Sequence, residues 1–365
     1  MIKYVITKKD LKQFIFFVKK HYQNDPYFVP PIYNVLTKEL KREVLKTKKY
    51  TAILALKNEE IVGRLLYTID DSKMKNSKIG YYSFFESIND ADVVKELFDT
   101  MEKDLLSEGM TYAEGTFTPY DPDTRRGVLV MGFDKDPTIM TSYNYAYYGS
   151  LLESIGYVKA LDTFSLKADI CDETTRKLTV IEKYFEARHE VQIDSLNFKD
   201  LDKDIQDVHE ILKTASIELN YQEAPSIDLI QEVAKSMKLF IRPEFIKIAR
   251  EKETLEPVGF ALVLPDFNQV IKKAKGKLNL YYFLRSKKYI TRARGLMQYV
   301  VPKYQNTGLI GVMFKKVYDH FLSEGITTFE AGTMVEENMK AMSTFMKFGG
   351  EITKTYRIYG KELSQ

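Results

Sequence analysis

The chemically richest stretch of this chain is Gln305-Asn306-Thr307-Gly308-Leu309-Ile310-Gly311, a glycine-bearing loop between a β-rich run and an amphipathic helical one. A turn of this kind at a helix start presents backbone N–H groups that no intrahelical carbonyl takes up. Together with the helix dipole they suit an anion, a pyrophosphate above all. The Gln305 amide and the Thr307 hydroxyl add two donors. Groups able to move a proton lie near in sequence. Glu330 on the next β-rich run is the nearest candidate base, Glu114 is its counterpart earlier in the chain, and Tyr299 and Tyr304 bracket the approach to the loop. The plainer readings stand beside these: a carboxylate on a polar strand face, and tyrosines packed in or beside a sheet.

A second segment carries charge. From Asn268 to Gly295 there is no acidic residue, while Lys272, Lys273, Lys275, Lys277, Arg285, Lys287, Lys288, Arg292 and Arg294 interleave with Tyr281, Tyr282, Phe283 and Tyr289. Such a stretch can grip RNA, hold a nucleotide phosphate, or be a solvated insertion, and the residues leave all three open. The single cysteine, Cys171, excludes an internal disulfide, and the four histidines show no metal-ligand spacing. A net charge of +3 does not by itself call for a nucleic-acid partner.

The elements that position these residues occur twice. Glu60-Ile61-Val62-Gly63 returns as Glu256-Pro257-Val258-Gly259, and Leu106-Ser107-Glu108-Gly109 returns as Leu322-Ser323-Glu324-Gly325. Each copy opens on a strand, followed by one helix in the first and two in the second, and then reads hairpin, strand, helix with a glycine stop, strand, helix, strand. At 365 residues, 44% hydrophobic and 29% charged, the chain can fill two cores. The expected division is 1–170, a linker or connecting helix at 171–188, and 189–365. No segment approaches the length of a membrane span, so a cytoplasmic protein with no membrane partner is expected. Motif spacing places one insertion near 267–291 and another near 118–144. The latter carries Arg126 and leads to Tyr147 and Tyr148, which are candidates for an acceptor-binding wall or for packing between the halves.

The order from residue 296 onward, with Gln305-x-x-Gly308, an amphipathic helix, a strand and Asn338-x-x-Ala341-x-x-x-Phe345-x-x-x-Gly349-Gly350, resembles the GNAT superfamily of N-acyltransferases over most of 190–363. The resemblance implies an α/β fold of two tandem GNAT-like domains, each a mixed, mostly antiparallel sheet flanked by helices. It also implies acetyl-CoA or another acyl-CoA held by the amides of 305–311, Asn338 beside the pantetheine arm, and backbone at Val300 and Val301 facing the thioester. Two positions depart from the family pattern: Ile310 stands where a small residue is usual, with Gly311 following, and Phe345 replaces a frequent tyrosine acid. The first half has Ser87-Ile88-Asn89-Asp90-Ala91-Asp92 in place of the loop, and its acidic residues cap a helix while repelling a pyrophosphate. It resembles a GNAT-like fold without the cofactor, and the pair resembles bacterial tandem GNAT-like proteins. The expected reaction is acyl transfer to a small-molecule amine. A catalytically silent acyl-CoA sensor or scaffold, and an acyltransferase acting on RNA or aminoacyl-tRNA, are the alternatives.

Overall fold

Capping chemistry and glycine stops fix the local elements. A computed structural model describes residues 1–69, 78–116, 127–215, 226–237, 241–277 and 279–364. Strand β1 (Ile2–Tyr4) leads to helix α1 (Lys8–His21), which begins with a reciprocal cap: Thr7 accepts from the Asp10 amide and Asp10 accepts from the Thr7 amide. Helix α2 (Tyr33–Leu40) runs into a π-helical turn at Lys41–Lys46; neither is evident from the sequence pattern. The expected hairpin is β2 (Thr51–Lys57) with β3 (Glu60–Ile69). There follow β4 (Ile79–Ser87), α3 (Ala91–Ser107), β5 (Tyr112–Gly115), β6 (Val128–Met131), α4 (Tyr147–Ser154) and β7 (Val158–Asp169).

Helix α5 (Asp172–Glu186) connects to the second copy, made of β8 (Val191–Ser195), α6 (Leu201–Ala215), α7 (Ile227–Met237), β9 (Ile246–Glu251) and β10 (Pro257–Pro265). The insertion near 267–291 forms three short helices, α8 (Asn268–Lys273), α9 (Leu280–Leu284) and α10 (Ser286–Tyr289). The copy ends with β11 (Arg292–Val300), α11 (Leu309–Glu324), β12 (Thr328–Val335), α12 (Met339–Met346) and β13 (Glu351–Glu362). Helices α3 and α11 both stop at a glycine in the left-handed region, Gly109 at φ 82° and Gly325 at φ 75°, where a side chain would be strained.

The described strands form one sheet in the order β1-β2-β3-β4-β5-β13-β7-β12-β11-β10-β9-β8, with β6 also on β13. The last strand of each copy therefore lies in the sheet of the other. β13 pairs with β5 through Tyr359↔Gly115 and Glu362↔Tyr112, and β7 pairs with β12 through Thr328↔Asp169 and Val335↔Thr163. The exchanged strands run antiparallel to each other along nearly their whole length, from Glu351↔Lys167 to Gly360↔Val158. Tyr359 and Leu363 consequently sit in the first-half core with Leu97, Met101 and Leu105. Each large apolar side chain buried in this way contributes about 1.5–3 kcal/mol. A division of the chain at 170 and 189 follows the sequence repeat but cuts across the sheet.

Candidate acyl-CoA site

β11 and β12 run parallel and pair only from Arg292↔Thr328 to Gly295↔Ala331. Beyond Gly295, β11 keeps to β10 as far as Val300↔Gly259, while β12 follows β7 to Val335↔Thr163. The two strands thus diverge, and among the described residues no strand lies between the facing edges of 296–300 and 332–335. Residues here pass from buried, as at Ala293 and Phe329, to half-buried, as at Gln298 and Met334.

The glycine loop stands at the far end of β11. A 3-10 turn, Pro302–Tyr304, leads to Asn306 at φ 63° and Gly308 at φ 99°, the residue that precedes α11. Left-handed residues in such a run turn successive N–H groups toward one side. The first rung of the α11 ladder is Val312 N to Gly308 O at 3.0 Å, so the amides of Leu309, Ile310 and Gly311 precede it. Leu309 N reaches the Thr307 hydroxyl at 3.4 Å, and that hydroxyl donates to Tyr304 O at 2.6 Å. No acidic side chain stands in the first turn. The residues present fit a pyrophosphate. The glycines also have a packing reason: α5 lies along α11, and a Cβ at Gly308 or Gly311 would come within 3.1 Å of Ile181 Cγ2. Gly311 is small because a helix passes close by.

The other expected site residues have partners within the fold. The Val301 amide, assigned by resemblance to the thioester region, donates to Val258 O at 3.0 Å, and Val300 is buried against Gly259. The edge amides of 296–299 lie nearer the divergence. Asn338 caps α12, its side chain accepting from Ala341 N at 3.2 Å. Tyr299 stacks on Phe260 with centroids 5.6 Å apart, beneath α6. Tyr304 is buried and donates to Glu251 at 2.9 Å, and burial followed by that carboxylate raises its pKa.

Glu330 is buried and accepts from the equally buried Thr138 at 2.5 Å. It belongs to a charge cluster that ties the first-half excursion to the second half. Arg294, 1% exposed, donates to Gly332 O and to Ile139 O. Asp266 accepts from Ile139 N at 2.9 Å and pairs with Arg292, and burial raises its pKa. Lys354 donates to Lys135 O and Asp136 O, and burial pulls its pKa down to about 8. The face of the sheet beside Glu330 is therefore covered by 135–141, and Glu330 serves as a buried anchor. Sequence reasoning did not assign Arg294, Asp266, Thr138 or Lys354 to this cluster. The available signal was charge within apolar strand runs, as in Ala293-Arg294-Gly295-Leu296.

In the first half, β4 and β5 also pair over four residues, Ile79 to Tyr82 with Tyr112 to Gly115, and then part. Here α4 fills the gap. The Tyr148 hydroxyl accepts from Ser87 N at 3.1 Å, Tyr147 donates to Ser87 O at 2.8 Å, and Tyr148 also contacts Glu86 at 2.9 Å and His21 Nε2 at 2.8 Å. Tyr148 is 1% exposed and plugs this cleft. Burial, reinforced by Glu86, raises the pKa of Tyr148, and burial lowers that of His21. In the second half the α12 hydroxyls, Ser343 and Thr344, bond back to their own helix, and Phe345 packs against Phe329 of β12. The helix that follows β4 is capped by Asp90, itself paired with Lys57. Arg126 lies outside the described residues.

No family model matches the chain. It is 27% identical over 378 residues to the bacterial ceramide synthase of Caulobacter vibrioides, covering 98% of this chain and 96% of that protein. It is 25% identical over 379 residues to Protein YghO of Escherichia coli, covering 100% and 95%. Among solved structures, a tandem GNAT protein from the clavulanic acid biosynthesis pathway superposes with a TM-score of 0.60 at 11% identity, covering 100% of this chain and 99% of the other. A GCN5-related N-acetyltransferase from Sphaerobacter thermophilus gives 0.56 at 10% identity, covering 100% and 96%. A diverging parallel strand pair ahead of a helix, present twice and followed by a glycine-started helix in the second half, together with these whole-chain superpositions, establishes that the protein has the tandem GNAT fold.

Proposed function

We propose that the protein is an acyl-CoA-dependent N-acyltransferase whose acyl-CoA is bound by the second half, within 189–365, while 1–170 buttresses that site. The observation that carries this reading is the asymmetry between the two clefts. The β11/β12 divergence leads to a loop free of acidic residues, whereas its first-half counterpart is filled by Tyr147 and Tyr148 and ends in a helix capped by Asp90.

The amides of Leu309, Ile310 and Gly311 would hold the pyrophosphate, and edge amides of 296–299 would polarise the thioester carbonyl. The thioester supplies an activated acyl group. Acyl transfer then needs a neutral amine whose nitrogen forms the C–N bond as the C–S bond breaks, with CoA leaving as the thiolate and the amine proton passing to water. Glu330 is engaged with Thr138 and lies under 135–141, so it is not the base in this reading.

Likeness to the bacterial ceramide synthase along nearly the full length of both chains supports an acceptor of matching chemistry, a primary amine on a long aliphatic chain. The test is thiol release from acetyl-, octanoyl- and palmitoyl-CoA in the presence of sphinganine or short amino alcohols. Acceptor-dependent release with the long-chain amine supports the proposal. Tight acyl-CoA binding without release under any acceptor would replace it with an acyl-CoA sensor.

A further inference from the structure

We propose that the insertion between β10 and β11 is a docking surface for an anionic phospholipid bilayer. This goes beyond the acyl-transfer reading and does not rest on it. No helix among the described residues is long and apolar enough to cross a membrane, so the contact concerned is with the surface of a bilayer.

The surface combines two properties seldom found together. Its tip is apolar and wet: Leu280 is 72% exposed, Leu284 77% and Tyr281 52%, all on α9. Leu280 and Leu284 are one helical turn apart and share a face. Such side chains gain by leaving water, and contiguous exposed ones mark contact sites.

The surroundings are basic. From Asp266 to Asp319 the chain has no intervening Asp or Glu. Lys287 is neutralised by Glu324 at 2.6 Å, and Arg285 lies over the Tyr281 ring at 4.6 Å. Lys275, Lys277 and Lys288 are exposed and make no ion pair among the described residues. Lysines around an apolar tip can reach headgroup phosphates while their stems follow the leucines inward.

The base of the insertion is anchored. Tyr282, Phe283 and Tyr289 pack against the core that contains Phe267 and Phe321. Gly276 O accepts from Tyr33 N at 3.3 Å, fastening the insertion to the start of α2. This anchoring also decides between a bilayer and RNA. Single-stranded nucleic acid is gripped by aromatics that offer their faces to bases. Here three of the four aromatics turn into the core, and the outermost groups are leucines.

The experiment is flotation of the full chain with vesicles of phosphatidylcholine alone and of phosphatidylcholine with phosphatidylglycerol, without acyl-CoA or acceptor. The protein is expected to float with the anionic vesicles and about tenfold less with the neutral ones. Leu280→Glu with Leu284→Glu should abolish flotation. Lys275→Gln, Lys277→Gln and Lys288→Gln together should weaken it by about tenfold or more. Since all five side chains are exposed, the melting temperature and turnover of a water-soluble amine should stay at the parent level. Failure to float with anionic vesicles, equal flotation with both compositions, or undiminished flotation of both variants would overturn the proposal. So would single-stranded RNA that binds this surface in preference to vesicles. Lack of turnover with every amine would count against the acyl-transfer reading and leave the vesicle result standing.

Discussion

Replacing Ile310 by glutamate separates a cofactor loop from a merely structural one. Ile310 is 37% exposed in the first turn of α11, a turn with no acidic residue. In the free protein the new carboxylate complements the helix dipole and stabilises by about 0.3–1 kcal/mol. In the complex it faces the pyrophosphate. For charges ~6 Å apart at an effective dielectric of ~40, each phosphate charge is opposed by about 1.4 kcal/mol. Two such charges amount to about 3 kcal/mol, or roughly a hundredfold in Kd. Titration calorimetry with CoA on the parent, Ile310→Gln and Ile310→Glu measures this directly. The glutamine should bind within a few-fold of the parent, and added salt should narrow the gap between the two variants. Equal affinity of Ile310→Glu and Ile310→Gln, with both folded, would refute the loop as the pyrophosphate site. Gly308→Asp is a poorer test, because φ is 99° and Ile181 lies 3.1 Å from the added Cβ, so lost folding would mimic lost binding.

Four further outcomes are expected. A fragment of residues 189–365 lacks β7, the partner of both β12 and β13, so it should aggregate or stay unfolded by circular dichroism; co-expression with residues 1–188 should restore the soluble pair. Arg294→Leu removes the donor to the Gly332 and Ile139 carbonyls and should cost about 1–3 kcal/mol or more in urea denaturation, with earlier proteolysis at 135–141. Tyr148→Phe removes the acceptor of Ser87 N and should cost about 1–3 kcal/mol while the KM for acyl-CoA and for the amine stays unchanged; a selective rise in the amine KM would return Tyr148 to the acceptor site. Lys354 has a folded pKa of about 8, below its unfolded value of 10.5, so the unfolded chain binds more protons between these limits. Its penalty is full below pH 8 and disappears as pH rises through that window, so melting temperature should rise relative to Lys354→Met from pH 8 to 10.5.

Much of the molecule is local and was legible in residue order. Gly109 and Gly325 stop their helices at positive φ, Asp90 caps α3, and the two hairpins lie where β-rich runs flank short polar turns, because each of these depends on neighbours in sequence. Which loop would leave amides open at a helix start was likewise written in Gln305 to Gly311. The tertiary structure alone decided where those elements meet. β7 and β13 close equivalent repeats, so their own residues cannot say which sheet each joins. Only the antiparallel register between them and the cores they complete fixes the exchange. Glu330 and Tyr148 likewise read as available chemical groups until distant chain arrived: Thr138 and the 135–141 segment beside one, Ser87, Glu86 and His21 around the other. A side chain's type is set by sequence. Whether it is spent on a partner depends on contacts across more than a hundred residues in several of these cases, and no local periodicity encodes them.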